Sequence, residues 1–397
     1  MKIETKLALD RVLGIVIAYP LNVLVRLVGK ITRYDHSLKN ELSRIVICKF
    51  KGMGSIIQST PLIQTLRTRY PKAQLIYVSA IENKTILDNI SAIDEVICID
   101  DRKFTSLLKT TIVSIRRLIR LRADLYIDLE IYSNFSSIFT TCSMARDRFG
   151  YYLRSNRYRM GMYTHMMYFN TKSPIAESYL QFARLLQIES ISNELINLPK
   201  QAVEPVSRKP YIVINPNASD LRFERRWPAN SFIELISYLC QTTSNDILLI
   251  GSPNEVDYVR SISSAFLNNH SVQDLSGKTS IPELIELLRN AELVITNDTG
   301  PMHLASALQT NVLALFGPCA PEQYGLGPTV KALYKNMYCS PCVHEFATPP
   351  CKGNNQCMQL ISVSEVCNAI ENYAIPATSS PIQFTDNENR ALGSVIR

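Results

Sequence analysis

The chain has 397 residues, 46% of them hydrophobic and 19% charged, which is enough for two buried cores and too apolar for broad disorder. Its net charge of +7 suits work beside anionic phosphates or an anionic membrane. The excess is spread along the chain, so basicity alone does not make it a nucleic-acid binder.

Residues 1–40 read as an amphipathic segment. The apolar stretch between Arg11 and Arg26 is fourteen residues, interrupted by Pro20 and Asn22, against roughly 20 needed to span a bilayer, so it reads as too short to cross. Lys6, Arg11, Arg26, Lys30 and Arg33 flank Leu13, Ile15, Val16, Leu21, Val23 and Leu27, a composition for lying among headgroups; a helix packed on the protein's own first domain is the alternative. The stretch lacks the small-residue cleavage site of a secretory leader, and six dispersed cysteines read as core hydrophobes. Together these point to a cytoplasmic protein, peripheral on the inner face of the membrane.

From residue 44, apolar runs of strand length alternate with longer helical segments, the pattern of βαβ units and a parallel sheet. In a first domain, 41–195, strands are predicted over 45–50, 75–79, 96–100 and 124–130, with helices over 56–70, 104–121 and 175–187. Residues 146–171, with seven Tyr or Phe and five Arg, read as irregular loop material suited to an acceptor-binding edge. Residues 196–210, containing Pro199, Pro205 and Pro210, read as a linker. The alternation restarts in a second domain, 211–375, with strands over 211–215, 246–251, 293–296 and 312–316 and helices over 231–241, 255–266, 281–290 and 301–308. The polar tail 376–397 offers little to bury and is expected to be mobile.

In the run Asn297-Asp298-Thr299-Gly300-Pro301-Met302-His303, a buried strand ends in a polar turn, and Pro301 sits where a helix should begin. The free N–H groups and positive dipole end of that helix would face the carboxyl edge of the sheet, where phosphate is the natural guest. An ordinary capped helix would use the same residue types. After the first strand of this domain come Asn217-Ala218-Ser219 and then Arg225-Arg226-Trp227-Pro228, whose adjacent guanidiniums suit a diphosphate. Glu255, at another strand-to-helix turn, either meets a helix dipole or accepts hydroxyl hydrogens from a ribose or sugar. In the first domain, Gly52-Met53-Gly54-Ser55 follows the opening strand but matches neither the dinucleotide fingerprint nor the P-loop, so a nicotinamide oxidoreductase is a distant reading. The two glycines instead keep the backbone bare at the interdomain cleft.

These pieces together resemble the family 9 glycosyltransferases, the group that includes the lipopolysaccharide heptosyltransferases. The resemblance rests on Gly52-Met53-Gly54-Ser55 with Pro61 and Leu66, on Asp128-Leu129-Glu130, on Asn217 through Pro228, and most specifically on Asp298 through His303 followed by Phe316-Gly317-Pro318. It implies an α/β protein of GT-B architecture, two Rossmann-like doubly wound parallel-sheet domains facing a cleft, with a nucleotide diphosphate sugar such as ADP-heptose in the second domain and a glycolipid or oligosaccharide acceptor in the first. It further implies inverting sugar transfer with no required cofactor or metal. Carried over by position, Arg225 stands where the family places a diphosphate-binding Lys, Glu255 where a carboxylate contacts the nucleoside, and Asp298, Thr299, Gly300 and His303 on the sugar diphosphate; Asn217, Ser219 and Arg226 complete the donor set.

One position departs: the family has Gly-Asp where this chain has Gly54-Ser55, and that Asp is the expected base toward the acceptor hydroxyl. Serine cannot do that work unaided. Glu130, or Asp128 on the same strand end, is then the expected substitute. The alternative is a sugar-nucleotide- or glycan-binding protein that has lost its base. Cys339, Cys342, Cys351 and Cys357 have the composition of a structural zinc site, with reduced thiols or a disulfide as alternatives.

Overall fold

A computed structural model of the protein describes residues 3–39, 41–153, 158–170, 172–192, 198–200, 206–207, 209–218, 222–324, 326–343, 349 and 351–371. Most of the expected linker and all of the tail 376–397 lie outside them. A long helix α1 (Ile3–Thr32) leads into the first sheet: β1 (Arg44–Cys48), β2 (Gln74–Ala80), β3 (Glu95–Ile99), β4 (Leu125–Asp128), β5 (Asp147–Tyr152) and β6 (His165–Tyr168). Between and after the strands run α2 (Met53–Gln58), α3 (Thr60–Arg69), α4 (Lys84–Asp88), α5 (Phe104–Leu121), α6 (Asn134–Cys142) and α7 (Ile175–Leu185). The second sheet comprises β7 (Tyr211–Asn215), β8 (Asp246–Leu249), β9 (Val272–Asp274), β10 (Leu293–Asn297), β11 (Val312–Phe316) and β12 (Val330–Tyr334). Its helices are α8 (Ala229–Thr242), α9 (Val256–Ser263), α10 (Ile281–Arg289), α11 (Gly300–Ala307), α12 (Gln356–Gln359) and α13 (Val363–Glu371), the last packed on α8.

Both sheets have six strands, all neighbouring pairs are parallel, and the orders are β3-β2-β1-β4-β5-β6 and β12-β11-β10-β7-β8-β9. Counted within its own domain, each reads 3-2-1-4-5-6, the Rossmann order, as expected for two doubly wound domains in the GT-B arrangement. The chain reverses direction between β1 and β4 in one sheet and between β7 and β10 in the other. Ligands of such sheets bind outside the carboxyl ends of the strands at these switch points. The central strands are apolar on both faces, as in Tyr211–Asn215 and Val312–Phe316, because helices cover both sides.

Three expectations change here. The helix expected over 56–70 is two helices broken at Ser59, whose hydroxyl bonds back to the Ile56 carbonyl while Pro61 starts the second. The supposedly irregular stretch 146–171 contributes β5 and β6, in which Phe149 and Tyr151 face the core. The N-terminal segment is not cut short at Arg26: α1 runs through Pro20, apolar residues resume at Leu27, and Asp10–Thr32, 23 residues, is by length and composition enough to cross a membrane.

Candidate active site in the interdomain cleft

The second-domain half is built at the β7/β10 switch point. Asn215 donates from Nδ2 to the Thr296 hydroxyl at 3.0 Å and the Thr299 hydroxyl at 2.8 Å. Asn297 donates to the carbonyls of Pro216 and Asn217 and accepts from the Trp227 N–H. The loops after β7 and β10 are thereby tied together beneath Trp227, which is fully buried and donates its indole N–H to Ile361. Thr299 stands at the start of α11 with extended backbone, yet its side chain bonds backwards and leaves the first turn of the helix without a side-chain cap. The turn therefore presents its N–H groups to the cleft.

Asp298 and Arg225 meet at that turn. Arg225 Nε lies 3.5 Å from Asp298 Oδ2 and its Nη1 donates to the Asp298 carbonyl at 3.4 Å, but Nε and Oδ2 are both buried with no hydrogen bond among the described residues. Burial works against the Arg225 charge, and Asp298 overrides it and holds the guanidinium protonated. Asn217 Oδ1 is a third buried polar atom here with no partner among the described residues. Unsatisfied buried polar atoms are rare in native proteins, and their clustering marks a place for a polar ligand. Arg226 does not join this cluster: it stacks over Phe223 and Tyr258 at 4.7 and 4.3 Å and donates to the Ala218 carbonyl, so the paired guanidiniums take different partners. Glu255 closes a capping box, accepting from the N–H and the hydroxyl of Ser252 at 2.8 Å each. Ser219 lies outside the described residues.

His303, one turn into α11, crosses to the first domain. Its Nδ1 is 3.2 Å from Gln58 Nε2, its ring packs on Tyr324, and a Cβ on Gly54 would sit 2.3 Å from its Cδ2. Gly300 likewise faces Met53. The glycines are thus required by the contact of α2 with α11, while Gly52 takes a left-handed φ of 85° to turn the chain into α2. Burial depresses His303 to about 4, Asp298 pulling the other way and Arg225 adding to the drop. A group lowered from its ordinary 6.5 contributes stability that is full above that value and is lost as pH falls through the window down to about 4. Asp128 runs oppositely: burial raises it to about 6, so its contribution is lost as pH rises from about 4 to 6. His303→Gln should therefore flatten the acid side of the wild-type stability curve, measured by urea unfolding at pH 7 and 5; an unchanged slope would contradict a neutral buried imidazole.

In the first-domain half, both carboxylates that the sequence suggested as a base are buried and hydrogen-bonded. Glu130 accepts from Lys49 Nζ at 2.9 Å, from the Phe50 N–H at 2.8 Å and from the Lys51 N–H at 3.0 Å, and it is buried. Burial pushes the carboxyl up, but the Lys49 charge and these bonds override it and hold the group low. Glu130 is a latch for the loop leading to Gly52. Asp128 is fully buried, accepting from the Tyr163 hydroxyl at 2.6 Å and the Glu130 N–H at 3.0 Å. Ser55 is half-buried at the start of α2, near the buried Tyr179. Sequence reasoning missed Lys49 and Gln58, which flank the Gly52–Ser55 turn, and Tyr163, Tyr179, Cys319 and Tyr324, which come from distant segments.

In the 339–357 insert burial pushes the Cys342 and Cys357 thiols up, with the neighbouring cysteines adding to it; all four cysteines are free, and no group of three or more His, Cys, Asp or Glu among the described residues has an arrangement to hold a metal. Cys357 turns into the second-domain core against Gly317 and Met358 and behaves as a small hydrophobe.

The family model for glycosyltransferase family 9 (heptosyltransferase) matches residues 113–351, which include β4, the Arg225 loop and α11. The chain belongs to glycosyltransferase family 9. It is 30% identical over 168 residues to lipooligosaccharide heptosyltransferase 2 of Campylobacter jejuni, an alignment that covers 41% of this chain and 51% of that relative. Its fold is that of a family 9 glycosyltransferase from Veillonella parvula, with a TM-score of 0.69 and 20% identity, covering 85% of this chain and 98% of the other. The ADP-heptose lipopolysaccharide heptosyltransferase II of Escherichia coli superposes with a TM-score of 0.65 at 20% identity, covering 83% and 97%.

Proposed function

We propose that this family 9 member transfers a sugar, with inversion, from a nucleoside diphosphate sugar to a glycolipid acceptor of the lipopolysaccharide type, on the inner face of the cytoplasmic membrane. The observation that carries the reading is the unsatisfied Arg225–Asp298 pair at the uncapped start of α11. A diphosphate leaving group there gains the Arg225 guanidinium and the α11 amides as its charge develops. ADP-heptose is the donor candidate, because a superposable relative uses it and solved relatives include an Escherichia coli heptosyltransferase with ADP. Thr299, Gly300 and His303 line the sugar diphosphate, and Asn217 and Glu255 lie on the nucleoside side. No catalytic metal enters this account, since Arg225 and the helix amides meet the diphosphate charge. Ser55 positions the acceptor hydroxyl across the cleft.

One observation favours a second reading, a sugar-nucleotide- or glycan-binding protein without transfer: neither Asp128 nor Glu130 is free to take a proton at Ser55. Turnover of ADP-heptose with a lipopolysaccharide-core acceptor separates the two. The transferase reading expects product from the wild type and a rise of about tenfold in Ser55→Asp, a base grafted where general-base catalysis is worth 10²–10⁴. Donor binding without product in either protein would leave the binding reading standing alone.

A further inference from the structure

The helix α1 is built inside out. The residues it turns toward the domain, Asp10, Gly14, Ala18 and Asn22, are small or polar and spaced four apart. Asp10 accepts from the N–H groups of Asn134 and Phe135 at the start of α6, and Asn22 accepts from the Gly161 N–H and donates to the Tyr158 carbonyl. A Cβ on Gly14 would meet Asn134 at 2.5 Å, so the helix lies close against α6. Its large apolar side chains point away from the protein: Val16, Val23, Leu24, Leu27 and Ile31 are exposed, the last by 81%. A helix that water surrounds on its outer side would place these the other way round.

The neighbouring α5 repeats the pattern. It buries Ser114 and Leu118 against the sheet and touches α6, while Leu108, Ile112, Val113 and Ile119 are exposed. No carboxylate lies within Phe104–Leu121, and Lys109, Arg116 and Arg120 are exposed among its apolar residues. Arg11 and Lys30 do the same on α1, whose Asp10 faces inward and whose Arg26 donates to the inward Asn22. Both helices pack on α6 and leave large apolar side chains exposed among cations, the combination that marks an interaction surface. Cations beside apolar side chains match phosphate headgroups above acyl chains.

We propose that α1 and α5 together form the surface by which the protein docks on an anionic lipid bilayer, α1 lying flat between the lipid and α6. Although Asp10–Thr32 is long enough to cross a bilayer, its hydrogen bonds at Asp10 and Asn22, about 18 Å apart along the helix, hold it along the domain. The surface is independent of whether the cleft transfers sugar.

Flotation of the full chain with vesicles tests this. Wild type should float with phosphatidylcholine vesicles containing phosphatidylglycerol at least about tenfold better than with phosphatidylcholine alone, since each cation near the surface contributes about fivefold. L108E with I112E on α5, and separately L24E with L27E on α1, should each cut flotation about tenfold or more while the melting temperature and the thermal shift on adding ADP stay as in wild type. Arg116→Glu with Arg120→Glu should remove the preference for the anionic lipid. The proposal is overturned if the α5 variants float like wild type, if no vesicle binds, if membrane-bound protein resists carbonate extraction as a spanning helix does, or if the same variants instead dissociate a dimer.

Discussion

Arg225→Ala is expected to weaken ADP binding and to cut turnover about 10²–10³-fold, the usual consequence of removing one preorganised donor to a developing oxyanion. Two effects add. The leaving diphosphate loses the guanidinium poised with an unused Nε, and the buried Asp298 carboxylate, paired to it at 3.5 Å, is left beside the incoming anion. Like charges at that spacing oppose donor binding as well as the chemical step. Arg225→Lys restores the charge but not the fork, so it should recover most of the affinity and only part of the turnover. Equal loss in both variants would indicate that the guanidinium geometry, and not its charge, matters; no loss in either would remove Arg225 from the site.

Glu130→Gln is expected to act on stability first. Lys49 is buried and its charge is held up by Glu130 against the effect of burial. The Gln carbonyl can still accept from the Phe50 and Lys51 N–H groups, so the loss is concentrated in the ion pair. Removing one partner of a buried pair costs about 3–5 kcal/mol, which corresponds to a fall in melting temperature on the order of 10 °C for a domain of this size. Because the folded Glu130 carboxyl is held below its ordinary value, its contribution is present above that value and is lost as pH falls through the lowered one. The gap between variant and wild type should therefore narrow toward low pH. Lys49→Met combined with Glu130→Gln should recover much of the loss, since the Gln still accepts from the two N–H groups and no buried charge is left without its partner. A variant as stable as wild type at pH 7 would contradict the latch.

How much of this was legible in the sequence depended on how local the signal was. The core strands at 211–215 and 312–316 coincide with the observed β7 and β11, since strands buried on both faces are unbroken apolar runs. The edge strand β6, His165–Tyr168, is half-exposed and sits among Arg and Tyr, and β9 is three residues long, so neither has a period to detect. The α11 turn was legible because Pro301 fixes where its helix begins. The Lys49–Glu130 pair was not, because its partners are 81 residues apart and only the β1–β4 pairing brings them together. The same holds for His303 and Gln58, 245 residues apart, which meet only through the packing of one domain on the other. Glu130 read as a free carboxylate for that reason: nothing local shows that a lysine and two backbone N–H groups consume it.

Thermal shift of the wild type and Arg225→Ala with ADP tests the central claim most directly, that a nucleoside diphosphate sits between Arg225 and the first turn of α11. At one hundred times its dissociation constant, ADP should stabilise the wild type by roughly 2.7 kcal/mol, adenosine should do much less, and the variant should show little shift at the same concentration. A wild type indifferent to ADP, or a variant that shifts as far as the wild type, would contradict it.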